Sequence, residues 1–262
     1  MNSVCSMIII KPVGGLCNRL RVIDSAIALA VNYKIKLHII WELNQACNCK
    51  FSDLFIVPGE IDRLTEIENK FVITFLNIFL PRYYYYFNNK KIANLKNQED
   101  GIETLLTHKT VYIKTCERFY NGSAFFNLIP REAIQNIIGS YKKENMIGIH
   151  VRRTDNTHSI INSPIEKFIE YMKNEIASDN DVYFFLSTDD PSVEILFQKE
   201  LPNRIVTHAK ESLDRNNPLA IQDAVIDLYS LANCSKIIGS YWSSFSDIAS
   251  ELKGIEKVII KD

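Results

Sequence analysis

"MIGIHVRRTDNTHSIINSPIEKFIEYMKNEIASDNDVYFFLST", residues 146–188, is the stretch whose reading decides the fold. It opens on the apolar run MIGIHV (146–151) and passes a polar turn. It then enters PIEKFIEYMKNEIA (164–177), where apolar residues recur at helical spacing behind a proline suited to a first helical turn, and closes on the apolar run DVYFFLS (181–187). Two strands with no wet face, joined by a helix, are the pattern of a parallel sheet covered by helices.

The same alternation extends in both directions. Downstream, PSVEILFQKEL (191–201) predicts a helix, RIVTH (204–208) a strand, LAIQDAVIDLYSLANC (219–234) a helix, KIIGSY (236–241) a strand and SSFSDIASEL (243–252) a helix. At the other end, MIIIKPV (7–13) predicts a strand, NRLRVIDSAIALAVNY (18–33) a helix and KLHIIWE (36–42) a second strand. Between about residues 52 and 130 the pattern blurs into aromatic and Asn/Lys-rich pieces that support no assignment. PREAIQNIIGSYKKEN (130–145) predicts a helical connector. The expected organisation is two α/β halves, residues 1–142 and 143–262, with ligands bound outside the carboxyl ends of the strands.

Composition narrows the function. With 30 Lys and Arg against 31 Asp and Glu, the chain has no general attraction for nucleic acid or for an anionic membrane, so anion binding must be local. The N-terminus lacks a basic region followed by a long apolar run, which predicts a cytoplasmic protein without a secretory signal. FVITFLNIFLPRYYYYF (71–87) is interrupted at Pro81 and Arg82 short of a membrane span. It is expected to be buried, its aromatic end being a candidate for weak contact with a membrane surface or a glycolipid. Cys5, Cys17, Cys47, Cys49, Cys116 and Cys234 show no metal-type pairing and read as reduced thiols.

Four strand-end loops carry candidate chemistry. In PVGGLCNRLR (12–21), Gly14 and Gly15 let backbone N–H groups approach an anion at a helix start, with Asn18 and Arg19 available for phosphate or sugar hydroxyls. The loop has neither the Gly-Lys-Ser/Thr of a P-loop nor the third glycine of a dinucleotide fingerprint. HVRRTD (150–155) sets His150, Arg152, Arg153 and Asp155 at a strand end, where guanidinium forks suit phosphate oxygens. STDDPS (187–192) offers Asp189 and Asp190, as helix caps or as carboxylates that accept hydrogen bonds from a guanine base. In GSYWSSFSD (239–247), Ser243, Ser244 and Ser246 exceed the needs of one N-cap and suit a diphosphate at a helix N-terminus.

GGLCNR, HVRRTD, STDDPS, AVIDLYSLANCSKIIGS and SSFS occur in the order and approximate spacing of the α1,2/α1,6/protein-O-fucosyltransferase superfamily. The chain most resembles the core α1,6- and nodulation-type fucosyltransferases over its last 120 or so residues plus the first glycine loop. The resemblance implies a GT-B-like fold, two Rossmann-like halves with a cleft between them, and a GDP-fucose donor held mainly by the second half. It implies no metal and no other cofactor. It casts Arg152 as the residue that binds the β-phosphate and stabilises departing GDP, supported by Arg153 and His150, and Asp189 or Asp190 as the guanine reader. Ser243, Ser244 and Phe245 would line the diphosphate, with Gly14, Gly15, Asn18 and Arg19 facing the donor. The implied reaction is inverting transfer to an oligosaccharide or glycolipid hydroxyl.

The chain departs from the closest pattern where those enzymes carry a glutamate soon after HVRRTD. NTHSIINSP follows here, leaving Asp155, His158 and Glu42 as candidate general bases. Two alternatives stay open: the same fold with another nucleotide-sugar donor, and a non-catalytic nucleotide- or glycan-binding module.

Overall fold

The structure is a computed structural model that describes residues 4–97, 101–122, 125–154 and 156–261. It divides into two compact units, residues 1–130 with 214–221, and residues 131–213 with 222–262. The sequence places the division between residues 142 and 143. In the structure the helix Glu132–Ser140 groups with the second unit, and the segment 214–221 returns to the first.

The first unit is built on β1 (Met7–Pro12), β2 (Lys36–Glu42), β3 (Arg63–Ile67), β4 (Tyr85–Asn88) and β5 (Thr110–Thr115), all parallel, in the order β3-β2-β1-β5-β4. Helix α1 (Leu16–Tyr33) follows β1, and twelve of its eighteen residues are buried, which makes it a core helix of this unit. The short α2 (Phe51–Leu54) and the longer α3 (Lys70–Tyr83) flank β3, and α4 (Asn89–Lys96) and α5 (Gly101–Leu106) join β4 to β5. Among the described residues, the stretch that showed no periodicity therefore holds three strands and four α-helices. The short strands, and large apolar side chains on both the inner and the outer side of α3, explain why neither period showed.

One expectation is overturned here. Of FVITFLNIFLPRYYYYF only Phe87, on β4, is buried: none of the fourteen residues of α3 is, although Ile73, Leu76 and Leu80 pack on Ile9, Ile40, Ile67 and Tyr112 of the sheet. A helix laid on a sheet hides only one stripe, and among the described residues of this unit nothing covers the outer side of α3.

In the second unit, α6 (Glu132–Ser140) leads into β6 (Met146–Val151), followed by α7 (Thr157–Asn162), α8 (Ile165–Ser178), β7 (Tyr183–Thr188), α9 (Pro191–Glu200), β8 (Ile205–Thr207), α10 (Pro218–Ala232), β9 (Lys236–Ser240), α11 (Ser244–Lys253) and β10 (Glu256–Ile260). The sheet order is β10-β9-β6-β7-β8, again all parallel. Every residue of β6 is buried, as its unbroken apolar run requires. Phe168 and Met172 of α8 and Val193 and Phe197 of α9 fill the core against β6 and β7. The chain leaves β6 toward β7 on one side and later returns to β9 on the other. The order thus reverses at β6, and a doubly wound sheet opens a crevice at such a switch point beyond the carboxyl ends of the strands.

Candidate functional site

The ends of β6, β7, β8 and β9 and the start of α11 converge at that switch point. After β6 the chain is held by β7: the Asp189 carboxylate accepts from the Arg153 amide (2.7 Å), the Thr154 amide (3.3 Å) and the Thr154 hydroxyl (2.7 Å). It also pairs with the Arg152 guanidinium at 3.1 Å. The Arg152 amide donates to Ser240 Oγ at 3.0 Å, which ties the same loop to β9. Arg152 is thereby fixed at its backbone and at one guanidinium nitrogen.

Arg153 turns the other way. It donates to the carbonyls of Ile160 (3.2 Å) and Ser163 (2.5 Å) and so braces α7. Of the adjacent arginines, Arg152 lies among the strand ends and Arg153 supports it from behind. Asp155 lies outside the described residues.

His150 is enclosed at 4 % exposure and stacks on Phe245 of α11, ring centroids 4.9 Å apart. Burial pushes its pKa down to about 4, with Asp189 opposing and Arg152 and Lys210 assisting, so the ring is neutral at physiological pH. Its Nδ1 has no hydrogen-bond partner among the described residues. Phe245 is set by the tight join of β9 to α11: a Cβ on Gly239 would stand 2.7 Å from Ser246 Oγ, and only glycine allows that approach.

The turn before α11 is strained. Trp242 has φ of 57°, a left-handed conformation costly for a bulky side chain, and is held by Asn156 Nδ2 donating to its carbonyl at 2.9 Å. Flanking it, the Tyr241 amide donates to Ser163 Oγ (2.8 Å) and the Tyr241 carbonyl accepts from Ser159 Oγ (2.6 Å). Ser243 occupies the N-cap position but makes no side-chain cap, and Ser244 and Phe245 open the helix. Their end of the helix carries the positive pole of its dipole. His158 is exposed and rests on Trp242, ring centroids 5.6 Å apart.

The two aspartates of STDD differ in use. Asp190 caps α9 by accepting from the Ser192 amide (2.9 Å) and hydroxyl (2.7 Å), whereas Asp189 is spent on the β6 loop. A buried carboxylate with an open oxygen is Asp227 of α10. Its Oδ2 accepts from Ser187 Oγ (2.7 Å) and pairs with Lys210 (3.1 Å), while its buried Oδ1 has no partner among the described residues. Burial pushes the Asp227 carboxyl up, opposed by Lys210. Lys210 itself is positioned by its neighbours. Asp223 Oδ1 meets His208 Nε2 at 2.8 Å and Asp223 Oδ2 accepts from the Glu211 amide at 3.3 Å, so the segment after β8 is tied to α10 on both sides of Lys210.

The first unit carries its own loop cluster. Gly14, at φ of 87°, turns the chain from β1 into α1, and Gly15 is the N-cap without a side-chain cap. Arg19 is wholly enclosed: it donates to the carbonyls of Gly14 (2.8 Å) and Glu42 (2.5 Å) and to Asn44 Oδ1 (2.9 Å), and lies over the Trp41 ring. It therefore builds this loop, while Asn18 is half-buried and accepts from Arg21 at 2.7 Å. Glu42 pairs with the buried Lys11 and accepts from Asn44 (3.1 Å). Burial alone would raise its carboxyl, but these bonds and the charges of Lys11 and Arg19 outweigh that and hold it below the usual range. A carboxylate so stabilised is a weakened proton acceptor.

No family model and no curated protein matches the chain. Solved structures do. A NodZ α-1,6-fucosyltransferase soaked with GDP-fucose, the enzyme known from Bradyrhizobium, superposes with a TM-score of 0.63 at 19 % identity over 94 % of this chain and 92 % of that one. A mutant of Arabidopsis thaliana FUT1 in complex with GDP gives 0.62 at 12 % identity over 97 % and 70 %. POFUT1 in complex with GDP gives 0.57 at 10 % identity over 99 % of both chains. The fold is that of known fucosyltransferases.

On this fucosyltransferase fold the sequence-predicted residues His150, Arg152, Arg153, Asp189, Ser243, Ser244 and Phe245 come together at one sheet edge of the second unit. Asp190 sits on the cap of α9. Asp227, Lys210 and Trp242 were missed. Asp227 lies inside a helical run and has no strand-end signature, and Lys210 follows a strand of three residues. Only the ordinary rarity of a buried acid on an apolar helix face could have flagged Asp227. Among the described residues no group of three His, Cys, Asp or Glu side chains stands close enough to hold a metal ion.

Proposed function

We propose that the chain is a glycosyltransferase that moves fucose from GDP-fucose to a glycan hydroxyl, with inversion and without a metal. The observation that carries the reading is the convergence, at the switch point of the second sheet, of Arg152, the neutral His150 stacked on Phe245 and the uncapped N-terminus of α11. The likeness to structures that bind GDP or GDP-fucose supports it.

The diphosphate lies between Arg152 and the first turn of α11, where Ser243, Ser244 and the helix pole supply donors. As the bond from sugar to phosphate breaks, negative charge grows on GDP. Arg152, already oriented by Asp189 and Ser240, meets that charge without reorganising. The open oxygen of Asp227 and Nδ1 of His150 read the guanine: a carboxylate accepts from the base N1–H and 2-amino groups, and a neutral imidazole offers one donor or one acceptor. This moves base recognition from Asp189 or Asp190 to Asp227, because both oxygens of Asp189 are engaged by the β6 loop and Asp190 is turned to the cap of α9. The acceptor hydroxyl attacks from the face opposite GDP, with His158 as the candidate base in the second unit.

Calorimetry with GDP and UDP tests the reading. The folded protein binds GDP in preference to UDP, and Arg152→Ala weakens GDP at least tenfold. No GDP binding, or a preference for UDP, would sink the donor assignment. A GDP complex without donor turnover over a panel of oligosaccharide acceptors would favour a binding module instead.

A further inference from the structure

Helix α3 carries large apolar side chains on both sides. Its inner stripe rests on the sheet of the first unit above a cavity of about 400 Å³ lined by Leu76, Leu80 and Tyr84 of the helix side and by Met7, Ile9 and Ile40 of the sheet. Its outer stripe stands in solvent: Phe71 is 88 % exposed, Phe75 54 %, Ile78 45 %, Phe79 36 % and Tyr83 74 %. Phe71, Phe75, Phe79 and Tyr83 follow one another at four-residue spacing, so they form a continuous ridge, with Phe75 stacked on Phe79 at 4.0 Å. Exposed apolar surface of this kind marks a docking surface.

The charge around the ridge chooses the occupant. The charged residues of α3 itself are Lys70 and Arg82, both basic and both exposed, with Glu68 just ahead of the helix. Arg82 lies one turn from Ile78 and Phe79, on the ridge itself. A second copy docked face to face through a two-fold axis would set these like charges against themselves. An anionic bilayer surface satisfies both features, since aromatic side chains enter the interface while Lys and Arg reach the headgroups. The helix does not span: its fourteen residues extend about 21 Å, short of a hydrocarbon core of roughly 30 Å. Asn77, on its inner side, is tied to Lys11 at 2.9 Å and to Lys114 at 3.2 Å.

We propose that the ridge Phe71–Phe75–Phe79–Tyr83 and its basic flank dock the protein on an anionic membrane surface, α3 lying in the plane of the interface. The inference is independent of the donor site.

Co-sedimentation of the full chain with lipid vesicles tests it. The protein sediments with vesicles of phosphatidylcholine mixed with phosphatidylglycerol, much less with phosphatidylcholine alone, and binding falls as salt rises. Phe75→Ser/Phe79→Ser abolishes sedimentation, and each charge removed in Lys70→Gln/Arg82→Gln weakens it about fivefold. Both variants keep GDP affinity and circular dichroism, which shows that the fold and the donor site are intact. Equal sedimentation of wild type and Phe75→Ser/Phe79→Ser, or none for either, overturns the proposal. So does a dimer in ultracentrifugation that Phe75→Ser/Phe79→Ser dissociates while vesicle binding is absent, since the ridge would then be a contact between copies.

Discussion

Replacing Asp227 by Asn should change which nucleotide the protein prefers. In the structure Asp227 Oδ2 is engaged by Ser187 and Lys210, whereas Oδ1 is buried and open. If Oδ1 accepts from the guanine 2-amino group, that single hydrogen bond to a charged group contributes about 1.5–3 kcal/mol, or roughly 10- to 150-fold in affinity. Inosine diphosphate lacks the 2-amino group and nothing else. Wild-type protein should therefore bind GDP more tightly than inosine diphosphate by about that factor, and Asp227→Asn should bring the two affinities together, chiefly by weakening GDP. Asparagine keeps the volume and one oxygen for Ser187, which limits the damage of unpairing Lys210; thermal melts of both proteins measure what remains. The control is Asp189→Asn, which loosens the loop of Arg152 and Arg153 and weakens both nucleotides alike. Calorimetric titration of the three proteins with the two nucleotides gives all six affinities. If Asp227→Asn keeps the wild-type preference while Asp189→Asn loses it, the strand-end aspartate reads the base and the argument from the open oxygen fails.

Three further outcomes follow from the same geometry. Because the folded protein holds His150 at about 4 against an ordinary 6.5, the unfolded chain binds the extra proton first; stability is full above pH 6.5 and declines by about 3 kcal/mol as pH falls to 4. His150→Phe should flatten that part of the pH–stability curve, and an unchanged slope would show that His150 is not its source. Gly14→Ala places a Cβ 3.0 Å from Asn18 Nδ2 at φ of 87°, so it should cost about 1–3 kcal/mol in chemical denaturation, and a neutral result would mean that the turn relaxes. His158→Ala should lower kcat on the order of 100-fold and leave GDP affinity unchanged if the imidazole takes the acceptor proton; an unaltered kcat assigns that proton elsewhere.

Much of the second unit was legible because its strands and helices obey their periods. MIGIHV and the YFFL of the next strand form apolar runs, and α8 carries Phe168 and Met172 at core spacing. The strand-end loops were legible for the same reason: once the strands are placed, His150, Arg152, Asp189 and Ser243 must follow them. Residues 52–130 were opaque because β3 and β4 are short and α3 carries large apolar side chains on its outer as well as its inner side, so no face stands out. The terminal strand β10, Glu256–Ile260, also escaped, being only five residues long and without alternation.

By itself, then, the sequence determined two parallel α/β halves, a cluster of phosphate-type residues at strand ends and the absence of any overall charge bias. Those follow from local hydrophobic patterning and from residue chemistry, both of which are read along the chain. The tertiary structure decided how each polar side chain is used. It assigned Arg153 and Arg19 to bracing their own loops and Asp190 to a cap, left an oxygen of Asp227 open beside Lys210, and set the outer face of α3 in solvent. The physical reason is that a hydrogen-bonding group is spent or left available by neighbours distant in sequence: Asp189 is 36 residues from the Arg153 amide it accepts, and Asp227 is 40 from Ser187. Only folding brings those neighbours within reach.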